Sequence, residues 1–171
     1  MRLQQVHPCE FEALYTELEK NFIAAERRSF AEALALLEDP HFTAYHTVEN
    51  GERVGFITLW TLKDTVFAEH FVTYEPFRNK GYGARVLALL KQTFPSLVLE
   101  AEPPQTELAA RRLAFYLRNG FCENDYPYVQ PAYRESDQNV PLVLLSYPDV
   151  LPEPAATVKE IYRVVYQKIA P

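Results

Sequence analysis

Cysteine is scarce in this chain. Cys9 and Cys122 are the two among 171 residues, no CxxC pair occurs, and four histidines lie scattered. That excludes a disulfide framework and gives no structural zinc pattern, so no metal is expected and both thiols read as incidental. Long apolar runs are missing too: nothing approaches the roughly 18 residues that a membrane helix needs. Positive charge is in short supply, with 17 Lys and Arg against 23 Asp and Glu and a formal net charge of -6. Displacing counterions from nucleic acid or from an anionic membrane needs a basic field, so neither is an expected partner. A basic or amine-bearing small partner is favoured instead. The opening segment MRLQQVHPCEFEALYTELEK is too charged and interrupted for a signal peptide, which points to the cytoplasm.

What remains is ordinary globular material, 48% hydrophobic and 23% charged. Its length suits one domain with a sizeable core. The hydrophobic pattern predicts a short edge strand at Arg2–Val6, then a helix carrying Phe11, Leu14, Tyr15, Leu18 and Phe22. A second helix should start at Ser29, with Glu32 as its capping-box partner, and stop at Asp39-Pro40. The intervening Ala24–Arg28 is a charged elbow. Phe42–Glu49 and Glu52–Trp60 flank Asn50-Gly51, a strong hairpin signal, and Thr65–Tyr74 continues the meander. In that third strand regular alternation places Glu69 and His70 on opposite faces.

Farther on, a helix to about Phe94 leads into the strand Leu97–Ala101, a crossover that implies a parallel pair. Glu107–Asn119 reads as another helix ended by Asn119-Gly120, and Phe121 begins a strand. Asn124–Asn139, polar and tyrosine-rich with prolines, reads as a long loop before the strand Val140–Tyr147. Pro148–Pro154 looks like a linker to an amphipathic helix at Thr157–Ile169 with a Thr157/Glu160 capping box. Residues 1–147 are thus expected to form the main domain. The tail 148–171 would pack on it or on a second subunit, which leaves room for a homodimer.

One stretch organises the rest. Val66–Thr93 runs from an apolar strand through Arg78-Asn79-Lys80-Gly81-Tyr82-Gly83 into a helix. Two glycines let the backbone approach a ligand, and the free N–H groups of a first helical turn attract an anion. Arg78, Lys80 and Arg85 add positive charge, so the loop reads as a phosphate or pyrophosphate site.

The loop lacks the GK followed by Ser or Thr of a Walker loop, and it follows an antiparallel meander rather than the first strand of a dinucleotide fold. The segment Arg78, Asn79, Lys80, Gly81, Tyr82, Gly83, Ala84 resembles the R-x-x-G-x-G-A segment of the GNAT superfamily of N-acetyltransferases. The approach EHFVTYEPFRNKGYG, the two helices before the meander and RRLAFYLRNGF with its FY and GF resemble the same family. Together these cover most of residues 1–147. The resemblance implies an α/β (α+β) fold whose mixed, mostly antiparallel sheet has about six or seven strands flanked by helices. The extra C-terminal helix lies outside it.

It further implies acetyl-coenzyme A as co-substrate, its pyrophosphate held by the backbone of Asn79–Ala84 with help from Arg78 and Lys80. Its pantetheine arm would lie between two splayed strands, with Phe71 and Val72 as backbone partners. Tyr116, in the FY position, would be the general acid for the departing thiolate. Glu69, interrupting an apolar central strand, is a candidate base because partial burial would raise its pKa; Glu100 and Glu102 compete for that role. His70 reads as a core or bridging residue. For the acceptor amine the candidates are Glu26 and Arg27 in the elbow, Trp60, Glu100, and the loop tyrosines Tyr126, Tyr128 and Tyr133. The expected activity is acetyl transfer to a primary amine of a small molecule or peptide by direct attack in a ternary complex. A module that binds coenzyme A without turnover is the alternative.

Overall fold

The structure, a computed structural model, describes residues 1–134 and 137–170. Eight strands form a mixed sheet: β1 (Arg2–Gln5), β2 (Phe42–Glu49), β3 (Glu52–Thr61), β4 (Val66–Thr73), β5 (Leu97–Ala101), β6 (Cys122–Glu123), β7 (Tyr128–Gln130) and β8 (Val140–Tyr147). Their order is β1-β2-β3-β4-β5-β8-β6, with β7 also on β8. Every pairing is antiparallel except β4 with β5. Among the described residues five α-helices flank it: α1 (Phe11–Asn21), α2 (Phe30–Ala35), α3 (Tyr82–Thr93), α4 (Glu107–Arg118) and α5 (Pro154–Val164). Among the described residues no helix is long and apolar enough to cross a membrane.

Local chemistry explains most boundaries. Asn50 and Gly51 both have positive φ, 51° and 83°, the conformation a two-residue turn needs to match the twist of β2 and β3. Ser29 and Glu32 form the expected reciprocal capping box at α2. The same device, His7 with Glu10, opens the turn that leads into α1. Two elements differ from expectation. β7 lies inside the stretch read as a loop, where Pro127 and Pro131 bracket a run short enough to hide its period, and it pairs Tyr128 with Leu142 and Gln130 with Val140. The C-terminal helix starts at Pro154, whose fixed φ suits a first helical position, rather than at Thr157; it ends at Val164, and Ile169 is exposed.

The two faces of the sheet carry separate cores. On one, α1, α2 and α5 bring Phe11, Leu14, Ala33 and Ile161 onto Phe56, Trp60, Phe67 and Val72. On the other, α3 and α4 bring Val86, Leu87, Leu90 and Leu113 onto Ile57, Leu59, Ala68 and Leu99. The C-terminal segment is built into the first core through Val158, Ile161, Tyr162, Val165 and Tyr166. Each such side chain contributes about 1.5–3 kcal/mol of apolar transfer. This burial brings the Tyr166 hydroxyl to Glu100 on β5.

Candidate active site

β4 and β5 pair only at Val66 with Leu97, Phe67 with Val98 and Ala68 with Leu99. Beyond that point both strands continue without each other, β4 to Thr73 and β5 to Ala101. The cause lies in β4. Its register against β3 slips between Thr58/His70 and Leu59/Ala68, leaving Glu69 as an extra residue. A bulge bends its strand and strengthens the local twist, which carries β4 away from its parallel neighbour. The gap opens into a cleft of about 1130 Å³ lined by Glu69–Thr73, Leu99–Glu102, the start of α3 and the inner face of α4. Phe71 and Val72 lie in the part of β4 that β5 leaves unpaired, and their other edge is held by β3, opposite Ile57 and Phe56.

At one mouth sits the glycine loop. Asn79 and Gly81 both have positive φ, 59° and 80°, and Gly81 caps α3 without a side-chain bond. The first intrahelical bond is Arg85 N–H to the Gly81 carbonyl at 3.2 Å, so the N–H groups of Tyr82, Gly83 and Ala84 precede the helical ladder. The two glycines serve different ends. A Cβ at Gly81 would meet open space but would be strained by its backbone, whereas one at Gly83 would lie 3.2 Å from Phe115 Cζ, so Gly83 lets α3 approach α4. The expected convergence of three cations is not found. Arg78 lines the cleft and is tied to the Thr73 carbonyl at 3.0 Å and to Asn21 at 2.6 Å. Lys80 turns back to the Pro76 carbonyl at 2.7 Å, and Arg85 is held by Glu49. Backbone groups therefore dominate this mouth.

At the other end the bulge overturns the regular alternation. Glu69 and His70 both face the first core, where Phe67 and Val72 also point. The Glu69 side chain, 3% exposed, receives hydrogen bonds from Arg28 at 2.5 Å, Trp60 Nε1 at 2.8 Å and the Tyr133 hydroxyl at 2.8 Å. Burial pushes its carboxyl up, but the Arg28 guanidinium, His70 and the Trp60 N–H outweigh it and hold Glu69 at about 2. This corrects the expectation of a poised base: Glu69 stays ionised and fully partnered at neutral pH. His70 donates from Nε2 to the Glu26 carbonyl at 3.0 Å, so its Nδ1 accepts from the Thr58 hydroxyl at 3.2 Å. Burial pushes that imidazole down, consistent with a neutral bridge between β4 and the elbow.

Glu100, two residues above Val98 on β5, has the opposite surroundings. Among the described residues it receives the Tyr128 and Tyr166 hydroxyls and no cation, and burial pushes it up to about 8 despite those two donors, with Glu69 and Glu26 adding repulsion. Glu26 also lines the cleft and is raised, first by burial and then by Glu102. Tyr116 faces the cleft from α4, packs on Phe115 and Phe121, and gives its hydroxyl to no partner among the described residues. Burial pushes its phenol up to about 12, so it keeps its proton throughout the neutral range.

Three expected acceptor residues lie elsewhere. Trp60 has no exposed surface; it supports Glu69 and touches no cleft. Arg27 bonds to Tyr15 and Glu19 on the far side of the elbow. Tyr126 packs against the first core outside the cleft. Tyr133 does line it, stacked under Arg28 at 4.6 Å. Arg28, Gln130 and Tyr166 were not among the sequence candidates. Arg28 is the hub: besides Glu69 it donates to the Val165 carbonyl at 2.5 Å, fastening the C-terminal segment to β4. No pattern in the chain foretells a bond across 137 positions. Among the described residues no cluster suited to a metal ion occurs.

A cleft between parting parallel strands, with an open helix start at one mouth and a buried carboxylate beside the other, is the frame on which the comparisons fall. The family model for the Acetyltransferase (GNAT) family matches residues 11–121. The chain belongs to that family. A protein from Bacteroides thetaiotaomicron assigned to the GNAT family as an acetyltransferase superposes with a TM-score of 0.91 at 28% identity, covering 97% of this chain and 98% of that one. A point mutant of spermidine N-acetyltransferase SpeG from Vibrio cholerae gives 0.62 at 13% identity, over 90% and 96%. An aminoglycoside 6'-N-acetyltransferase complexed with coenzyme A gives 0.59 at 18%, over 85% and 96%. The last two share the fold. A search of curated proteins returned no match.

Proposed function

We propose that this chain is an acetyl-coenzyme A-dependent N-acetyltransferase that acetylates a primary amine by direct attack in a ternary complex. The observation that carries the reading is the parting of β4 and β5 above the open first turn of α3. Tyr82–Ala84 N–H groups meet a pyrophosphate there, assisted by Arg78, and an acyl-bearing arm fits the gap against the free edge at Phe71 and Val72. A backbone N–H on that edge stabilises the negative charge developing on the thioester oxygen.

Glu100 takes the base role first expected of Glu69. A carboxyl at about 8 is matched to removing a proton from an ammonium near neutral pH, directly or through one water. The amine nitrogen then bonds to the acyl carbon as the carbon–sulfur bond breaks. Tyr116, protonated and unpartnered among the described residues, offers its O–H to the departing sulfur. Neither Cys9, exposed at the first turn, nor Cys122 lines the cleft, which fits direct attack without a covalent enzyme intermediate.

The test is release of free thiol from acetyl-coenzyme A over a panel of primary amines, with calorimetry for coenzyme binding. Amine-dependent release is expected. Tight coenzyme binding with no release from any amine would replace this reading with a binding module.

A further inference from the structure

Both phenols that hold Glu100 come from beyond residue 121, where the family match ends. Tyr133 and Tyr162, whose rings lie 5.4 and 6.2 Å from that of Tyr166, are committed elsewhere. Tyr133 gives its hydroxyl to Glu69 at 2.8 Å, and Tyr162 gives its own to the Val129 carbonyl at 2.5 Å. Tyr128 and Tyr166 both reach Oε1 of Glu100, Tyr166 at 3.1 Å. Among the described residues Oε2 has Tyr166 alone, at 3.2 Å, and shares its single proton with Oε1. A carboxylate oxygen offers two lone pairs, so Oε1 is filled and Oε2 keeps one free. Glu100 lines the cleft and is partly exposed, whereas neither Tyr128 nor Tyr166 lines it. The phenols stand behind the carboxylate, and the oxygen they leave open is the one available to a group in the cleft. This backing is pinned at several points. The Tyr162 bond ties α5 to β7, which carries Tyr128, and Arg28 donates to the carbonyl of Val165. Lys168 donates from its backbone N–H to the Tyr162 carbonyl at 2.8 Å and from Nζ to the Ala132 carbonyl. Tyr166 is therefore fixed by its neighbours on both sides in the chain.

We propose that Tyr166 and Tyr128 are positioning residues for the acyl transfer: they bind Oε1 of Glu100 so that Oε2 takes the proton of the attacking amine, which makes the C-terminal segment a working part of the active site. This inference rests on the N-acetyltransferase reading with Glu100 as its base. In the step an N–H bond of the ammonium breaks, the proton goes to Oε2, and the electron pair left on nitrogen attacks the acyl carbon. Both phenols donate to the ionised carboxylate and so favour the form that accepts the proton, against the repulsion of Glu69 on β4 and Glu26 in the elbow. Removing one phenol raises the pH at which the base becomes available.

The test is Tyr166→Phe in the full chain, read by two titrations. One follows kcat/KM for thiol release against pH; the other follows the carbon-13 resonance of the Glu100 carboxyl, assigned by its absence in Glu100→Gln. Both midpoints should rise by about one pH unit, with kcat/KM at pH 7 about tenfold lower and the loss carried by kcat rather than KM. Tyr128→Phe should act alike from β7, and it carries the test if Tyr166→Phe does not fold. A uniform loss at every pH with both midpoints in place makes the phenols structural and overturns the proposal. A carboxyl midpoint that rises while the acid limb of kcat/KM stays in place also overturns it, by moving the base away from Glu100. A carboxyl midpoint that rises in a chain releasing no thiol with any amine overturns the N-acetyltransferase reading, while the hold of the phenols on Glu100 stands.

Discussion

Glu69 on β4 and Glu100 on β5 enter the same cleft just beyond the last residues that pair the two strands, and both are carboxylates largely removed from water. Glu69 meets a guanidinium, an indole N–H and a phenol, and is held at about 2. Glu100 meets two phenols and two other carboxylates, and rises to about 8. Burial acts in the same direction on each; the neighbour's charge decides the outcome. One wall of the cleft is a fixed ionic joint that ties the elbow, β4 and the C-terminal segment together, and the other holds a proton it can exchange. Residue type alone therefore assigns neither role.

Substitutions should separate these walls. Glu100→Gln is expected to lower kcat/KM by about a hundred- to ten-thousandfold and to abolish the acid limb of its pH profile, with folding retained. An unchanged acid limb would move the base elsewhere. Glu69→Gln strands Arg28 as an unpaired buried charge and should destabilise by about 3–5 kcal/mol in urea unfolding, while the folded fraction keeps a similar chemical step. If stability holds and turnover disappears, the two glutamates have exchanged roles. Tyr116→Phe should reduce kcat roughly ten- to a hundredfold without changing the shape of the pH profile below pH 9, because the phenol titrates only near 12. A profile whose alkaline limb vanishes in this variant contradicts that assignment.

The smallest effect concerns stability against pH. The folded value of Glu100 lies above its ordinary 4.5, so its contribution to folding is complete below pH 4.5 and is lost as pH rises through about 8. Glu69 runs the other way: its contribution is present above 4.5 and is lost as pH falls towards about 2. Between pH 6 and pH 9 the melting temperature should therefore fall by about a few degrees, and Glu100→Gln should flatten that slope. A slope unchanged in the variant would show that another group sets it.

Much of the frame was legible because it is written locally. Asn50-Gly51 dictates its hairpin, Ser29 and Glu32 their helix start, and the glycine loop its open helix end, each through contacts within a few residues. The FY and GF signature placed Tyr116 on the correct helix. The bulge at Glu69 was not legible, since it is a register slip against β3 with no glycine or proline to announce it. Alternation failed at that point, and with it the role expected of Glu69, whereas His70 is the buried bridging residue its position suggested. Trp60 and Arg27 failed for a related reason: an aromatic or a charge beside a cleft in sequence need not face it.

By itself the sequence determined the family, the order of elements, the glycine loop and the presence of several carboxylates near the strands that part. Those follow from turn chemistry, periodicity and motif spacing, all short-range. Tertiary structure alone decided which carboxylate is neutralised and which is poised. That choice depends on Arg28 from the elbow, Tyr128 from β7 and Tyr166 from beyond α5 converging on one cleft, and a pKa is set by what surrounds a group in space.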